Sequence, residues 1–158
     1  MKVREAAPRD IPALADMFAK LCSYLETKGQ WLLNSDQKER MDGIVAFIIT
    51  KMTSENNMVM VTDDENGVAN GFVIGWILQY PSFYKYQVVG ELQFLYPLSF
   101  GTGQYLRKAF DEWAKSKGAT CGSNYATPGH TSSVKIFERA GRRLAYLHFF
   151  KPYGEGGV

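Results

Sequence analysis

Gly101 and Gly103, with Thr102 between them, stand where an apolar run ends and an amphipathic segment begins. Leu92, Phe94, Leu95 and Tyr96 read as a strand, Pro97 to Gly103 as a turn, and Gln104 to Lys117 as a helix. A strand that feeds a short glycine turn opening a helix is a natural anion site. The first backbone N–H groups of the helix are unpaired, the helix dipole favours negative charge, and glycine lets a phosphate approach the backbone closely. The chemistry this stretch could do is therefore the holding of a phosphorylated ligand. The alternative is a tight strand–helix turn with no ligand, which is common in α/β folds.

The elements that must position the turn follow from periodicity. Residues 1–6 can start a strand, Pro8 suits a first helical position, and Asp10 suits the positive first turn. Ile11, Leu14, Phe18, Leu21 and Leu25 then recur at helical spacing up to a break at Gly29. Ser35 or Asp36 could cap a second helix with Met41, Ile44, Val45, Ile48 and Met52 on one face. Residues 58–62 and 71–80 read as strands around the Asn66-Gly67 turn pair, and 88–96 as a third. Leu106, Ala109, Phe110 and Trp113 form the buried stripe of the next helix, with Arg107–Asp111 and Lys108–Glu112 pairing on its wet face. A strand over 119–125, a short helix over 132–140 ended by Gly141, and a last strand over Leu144 to Phe150 complete the chain. The order β-α-α-β-β-β-α-β-α-β predicts an α/β mixed sheet with helices on both faces.

At 158 residues and 46% hydrophobic, residues 1–158 are expected to form one domain with a single core. A net charge of +2 is too small to imply nucleic acid. Lys135, Arg139, Arg142 and Arg143 are the nearest thing to a basic patch and read as a solvated helix end. Cys22 and Cys121 are far apart and, with His130 and His148, complete no metal spacing, so both thiols are expected to be reduced and structural. No apolar leader and no run of roughly 18–20 apolar residues is present, so no membrane span and a cytoplasmic location are expected.

The fragments "VREAAPRDIPALADMF", "NMVMVTDDENGVANGFVIGW", "FGTGQYLRKAFDEWAKSKGA" and "HTSSVKIFERAGRRL", in this order, resemble the GCN5-related N-acetyltransferase (GNAT) family over nearly the whole chain. The last fragment is also similar to small phage-encoded members, in which a Thr-Ser pair follows an Asn. The resemblance implies an acyl-CoA N-acyltransferase fold, acetyl-CoA as co-substrate, and an amine of a small molecule or protein as acceptor. The family binds the pyrophosphate with a Gln/Arg-x-x-Gly-x-Gly/Ala turn. Here both glycines match, while Leu98 stands where Gln or Arg is usual. Carried over residue by residue, the cofactor would lie along Phe94, Leu95 and Tyr96 and on the turn Leu98, Ser99, Phe100, Gly101, Thr102, Gly103 and Gln104. Amides of Phe100 to Gln104 would meet the pyrophosphate, and the Thr102 hydroxyl could add a donor.

Acetyl transfer needs an amine that has lost its proton, a donor for the oxyanion, and an acid for the departing thiolate. Aligned on the family strand, Glu91 takes the place of the base; a full-length loop would slide that place to Gln87, which cannot act as one. The family's thiolate acid is a tyrosine, and here Phe137 stands in its place. Tyr125, His130, Ser132 or Ser133 could substitute. His130 occupies the usual Asn position beside coenzyme A, and Ser133 lies close to it. Trp76, Tyr96, Tyr146 and Phe149 read as core or cleft walls. Tyr80, Phe83, Tyr84 and Tyr86 could line an acceptor mouth, form a homodimer contact or pack within a loop. A GNAT-like binding module without turnover is the competing function, and a nucleic-acid binder a weaker third.

Overall fold

The structure is a computed structural model that describes residues 2–28, 33–97, 101–125 and 131–142. Strand β1 (Val3–Glu5) leads through a turn of 3-10 helix at Pro8–Asp10 into α1 (Ile11–Thr27) and α2 (Gln37–Thr53). Then come β2 (Asn57–Asp63), β3 (Ala69–Gln79), β4 (Val88–Pro97), α3 (Thr102–Ser116), β5 (Cys121–Asn124) and α4 (Thr131–Arg139). The order matches the sequence expectation as far as α4. The expected last strand, Leu144 to Phe150, lies outside the described residues, as does the break at Gly29.

The strands form one sheet in the order β1-β2-β3-β4-β5, antiparallel except for the parallel pair β4–β5. Alternation along each strand divides the core in two. Val59, Val61, Phe72 and Ile74 point to the face covered by α1 and α2, where they meet Leu14, Phe18, Ile44 and Ile48. Met58, Val73 and Leu92 point to the other face and meet Leu106, Phe110 and Ala114 of α3. The helix α3 lies so close to the sheet that a Cβ on Gly75 would stand 2.4 Å from Phe110 Cε2, and one on Gly90 2.5 Å from Ala114 Cβ.

Local chemistry explains the ends of these elements. Asp36 caps α2, its Oδ1 accepting from Glu39 N at 2.9 Å, so the cap is Asp36 and not Ser35. In the β2–β3 turn Asp64 Oδ1 accepts from Asn66 N and Val68 N, and Gly67 takes φ +76°. Asp10 is buried: it accepts from Ala7 N and from both terminal nitrogens of Arg4, which also grips Asp63. One guanidinium thus ties β1 to the start of α1 and the end of β2.

Two sequence expectations are corrected here. Met41 is 38% exposed and does not share the buried face of α2. Arg107–Asp111 is not a wet-face pair, because Arg142 also reaches Asp111 at 2.5 Å and all three side chains are at least three-quarters buried. Arg142 therefore leaves the expected solvated patch, whose Arg143 lies outside the described residues, while Lys135 and Arg139 are exposed. Lys108–Glu112 remains a loose, exposed pair at 3.8 Å. Both cysteines are free, Cys22 buried and Cys121 half-buried.

Candidate active site

Two irregularities coincide in β4. Ile74 pairs with Phe94 and Gly75 with Leu92, so Gln93 is an extra residue, a β-bulge. On the other side, pairing with β5 runs from Val89–Cys121 to Leu92–Asn124 and goes no further. Among the described residues, β4 beyond Leu92 has no partner in β5, and the pairing ends where the bulge lies. The bulge also resets the alternation. Gly90 and Leu92 face α3, whereas Glu91 faces the side of α1 and α2.

Glu91 is 6% exposed, stands between Trp76 of β3 and Ser123 of β5, and accepts a hydrogen bond from the Gln93 amide. Tyr80, beyond the end of β3, has its phenol pushed up by burial first, then by the nearby Glu91 charge, Tyr125 and Tyr84. The structure thus brings two of the sequence-derived catalytic candidates, Glu91 and Tyr125, around Tyr80. Tyr125 follows directly on β5 and is 43% exposed. His130 lies outside the described residues, and Ser133 is placed only as a position in α4. Lys51 of α2 lies over the Trp76 ring at 3.8 Å from its centroid, and burial pushes its ammonium below the ordinary lysine range.

The glycine turn opens α3 as its sequence suggested. Gly101 is the N-cap, with φ +86° and ψ −16°, and no side chain caps the helix. The first turn carries no acid, Thr102 is buried, and nothing lies within 4 Å of where a Gly101 Cβ would stand. Gly103 is packed differently, its Cβ position 3.4 Å from Pro97 Cγ and 3.7 Å from Leu95 Cδ2. Gln104 is exposed. A helix that opens at a glycine, with no acid in its first turn, fits a phosphate group at its N-terminus. Leu98, Ser99 and Phe100 lie outside the described residues.

Phe94, Leu95 and Tyr96 lie just beyond the bulge, but their side chains are taken up by packing. Phe94 meets Phe18 edge-on at 4.9 Å, Tyr96 stacks on Phe72 at 5.8 Å, and Leu95 packs on the α3 side. Only their backbone is left to face the end of the β4–β5 pairing. Sequence reasoning passed over Gln93 and the Lys51–Trp76 contact. A glutamine interrupting an apolar strand was the available sign of the bulge. Among the described residues no group of His, Cys, Asp and Glu could hold a metal ion.

No family model matches the chain, and no curated protein matches its sequence. Solved structures do match its backbone. An aminoglycoside N-acetyltransferase, AAC(6')-Iy, in complex with a bisubstrate analogue superposes with a TM-score of 0.74 at 18% identity, over 97% of this chain and 98% of that one. The aminoglycoside 6'-N-acetyltransferase AAC(6')-IG from Acinetobacter haemolyticus gives 0.70 at 16% identity, over 98% and 100%. The chain has the GNAT fold. A transcriptional regulator from Bacillus halodurans matches this chain equally well, with a TM-score of 0.77 at 15% identity over 96% and 99% of the two chains. The shared architecture thus carries more than one activity, and function rests on the site. No helix among the described residues is long and apolar enough to cross a membrane.

Proposed function

We propose that this chain is an acetyl-CoA-dependent N-acetyltransferase. The observation that carries the reading is the coincidence of three features along one strand. The bulge at Gln93, the end of β4–β5 pairing at Leu92, and the glycine N-terminus of α3 follow one another within residues 92–104. The open edge of β4 can take the extended arm of the coenzyme, and the amides from residue 100 to Gln104 its pyrophosphate. His130 and Ser133 would stand beside the coenzyme by their place in the sequence. The coenzyme supplies the acetyl thioester.

The residues then divide the chemistry. Glu91, buried beside the end of that pairing, takes the proton of the acceptor ammonium through water, leaving a lone pair on nitrogen. That lone pair attacks the thioester carbonyl, and backbone N–H groups beyond the bulge meet the oxyanion. The attacking nitrogen loses its second proton to solvent water, the C–S bond breaks as the amide forms, and Tyr125 supplies the proton that the thiolate takes up. Phe137 leaves no acid at the family's usual place, which favours a second reading, a GNAT-fold binding module without turnover.

Titration with acetyl-CoA separates these from a chain that has only the fold. The proposal expects micromolar binding, and no binding at millimolar ligand would overturn it. Glu91→Gln is expected to slow thioester consumption at least about 100-fold with affinity kept, as loss of a general base does. Unchanged turnover would reassign the base, and no turnover by any variant or by the unaltered chain would favour the binding module.

A further inference from the structure

Between α1, α2 and β4 lies a cavity of about 250 Å³. Phe18, Cys22, Leu33, Ile44, Phe47 and Phe94 line it, with Gly43 and Arg40 at α2. We propose that the acceptor is a primary amine with an apolar body, and that this body occupies the cavity while the amine points along β4 toward Glu91. The inference rests on the acetyltransferase reading and adds the class of acceptor to it.

Size, lining and charge each support this. An enclosed apolar cavity of about 150 Å³ already holds benzene, so the present one takes a phenyl ring or a short alkyl chain with its tether. Three of its walls are aromatic rings in mutual contact, with centroids 4.9 to 5.8 Å apart. The thiol of Cys22 is buried and pushed up to about 11, chiefly by desolvation, so it adds no charge to the floor. Among the described residues no carboxylate lines the cavity, and the one charged group is the Arg40 guanidinium, which donates to the Asn34 carbonyl at 2.9 and 2.6 Å. An ammonium group is thus disfavoured inside, by apolar walls and by a cation at the rim.

Outside the cavity β4 carries a carboxylate, and Lys51 Nζ stands beside the way to it, 5.4 Å from the Phe47 ring and 3.8 Å from that of Trp76, the residue paired with Glu91. Phe94 is the β4 residue in its wall, and Glu91 lies three positions earlier on the same side of the strand because the bulge resets the alternation. One ligand can therefore place its apolar end against Phe94 and its nitrogen toward the carboxylate. A polyhydroxylated, polycationic acceptor such as an aminoglycoside would leave hydroxyls and charges unpaired against these walls.

Gly43 provides the test. It lines the cavity within α2 and is exposed, with nothing within 4 Å of its Cβ position, so Gly43→Leu adds a side chain at the cavity's rim while favouring the helix. The unaltered chain and the variant are titrated with 2-phenylethylamine, hexylamine and kanamycin by calorimetry, with and without acetyl-CoA, and thioester consumption is followed in parallel. The proposal expects the two apolar amines to bind and to drive consumption, kanamycin to do neither, and Gly43→Leu to weaken the apolar amines at least tenfold while acetyl-CoA affinity and melting temperature hold. Gly43→Ala should have a smaller effect in the same direction. Apolar amines that bind both chains alike, or bind neither while acetyl-CoA binds, would overturn the acceptor assignment alone. Amine binding that is sensitive to Gly43→Leu in a chain that does not bind acetyl-CoA would overturn the acetyltransferase reading and keep the cavity as an amine site.

Discussion

Gly101 and Gly103 stand two residues apart at the head of α3 and serve the turn in opposite ways. Gly101 supplies a backbone conformation, φ +86°, in open space; Gly103 has ordinary helical geometry and supplies closeness to Pro97 and Leu95. A Cβ at Gly101 meets no atom but strains the backbone, so Gly101→Ala should destabilise the fold by about 1–2 kcal/mol. At Gly103 a Cβ falls at ordinary contact distance, and the helix gains roughly what it loses, so Gly103→Ala should change stability by less than about 0.5 kcal/mol. Acetyl-CoA affinity should fall in Gly101→Ala, whose strained backbone shifts the head of the helix, and hold in Gly103→Ala, whose methyl group packs on Pro97 and Leu95. Urea denaturation paired with acetyl-CoA titration separates the two effects. A Gly101→Ala chain with full affinity would mean that the phosphate does not rest on this turn.

Asp10 gives the fold a defined dependence on pH. Its hydrogen bonds from the Arg4 guanidinium hold its carboxyl below the usual carboxylate range, against desolvation and with help from Ala7 N–H. A carboxylate whose folded value is depressed stabilises the fold above its unfolded value, about 3.9, and that contribution is lost as pH falls through the folded value. Asp10→Asn should therefore cost about 1–3 kcal/mol at about pH 7, the range for hydrogen bonds to charged groups. The gap between the two chains should stay level down to about pH 5 and close below about pH 4. Chemical denaturation at stepped pH measures it, and a gap that widens in acid would show that Asp10 is not held by Arg4.

Much of this architecture is written in local pattern. The stripes of α1 and α3, the Asp64–Gly67 turn, the Asp36 cap and the glycine turn all depend on near neighbours in sequence, and so periodicity and capping chemistry reveal them. The candidate site is less legible because its parts meet through the sheet. Nothing local marks Gln93 as an extra residue, since a bulge is defined by the register of β3 against β4. Nor does spacing reveal that Lys51 crosses from α2 to Trp76, or that Tyr80 comes under the influence of both Glu91 and Tyr125, the latter 45 positions away in number. Met41 and Arg142 failed for the same reason. A helical face predicts which residues share a side, and only the neighbouring element decides whether that side is covered.

Asp111 is outnumbered by the cations it holds. Arg107 Nη1 reaches one of its oxygens and Arg142 Nη2 the other, each at 2.5 Å, and the Arg142 guanidinium lies 3.1 Å from the Cβ position of Gly122 in β5. The carboxylate therefore links α3 to the residue that follows the end of α4, across β5. Arg107 Nε and Arg142 Nη1 are buried with no hydrogen-bond partner among the described residues, so the cluster is short of acceptors there. Removing the carboxylate leaves two guanidinium groups facing each other in a place that water reaches poorly. Asp111→Ala is expected to destabilise the fold by about 1–3 kcal/mol, and Asp111→Asn, which keeps one acceptor oxygen, by less. A double-mutant cycle of Asp111→Ala with Arg142→Ala should give a coupling of about 0.5–3 kcal/mol, the range for residues in one network. Measured by urea denaturation, a coupling near zero would place Arg142 among ordinary surface cations and return the helix end to solvent.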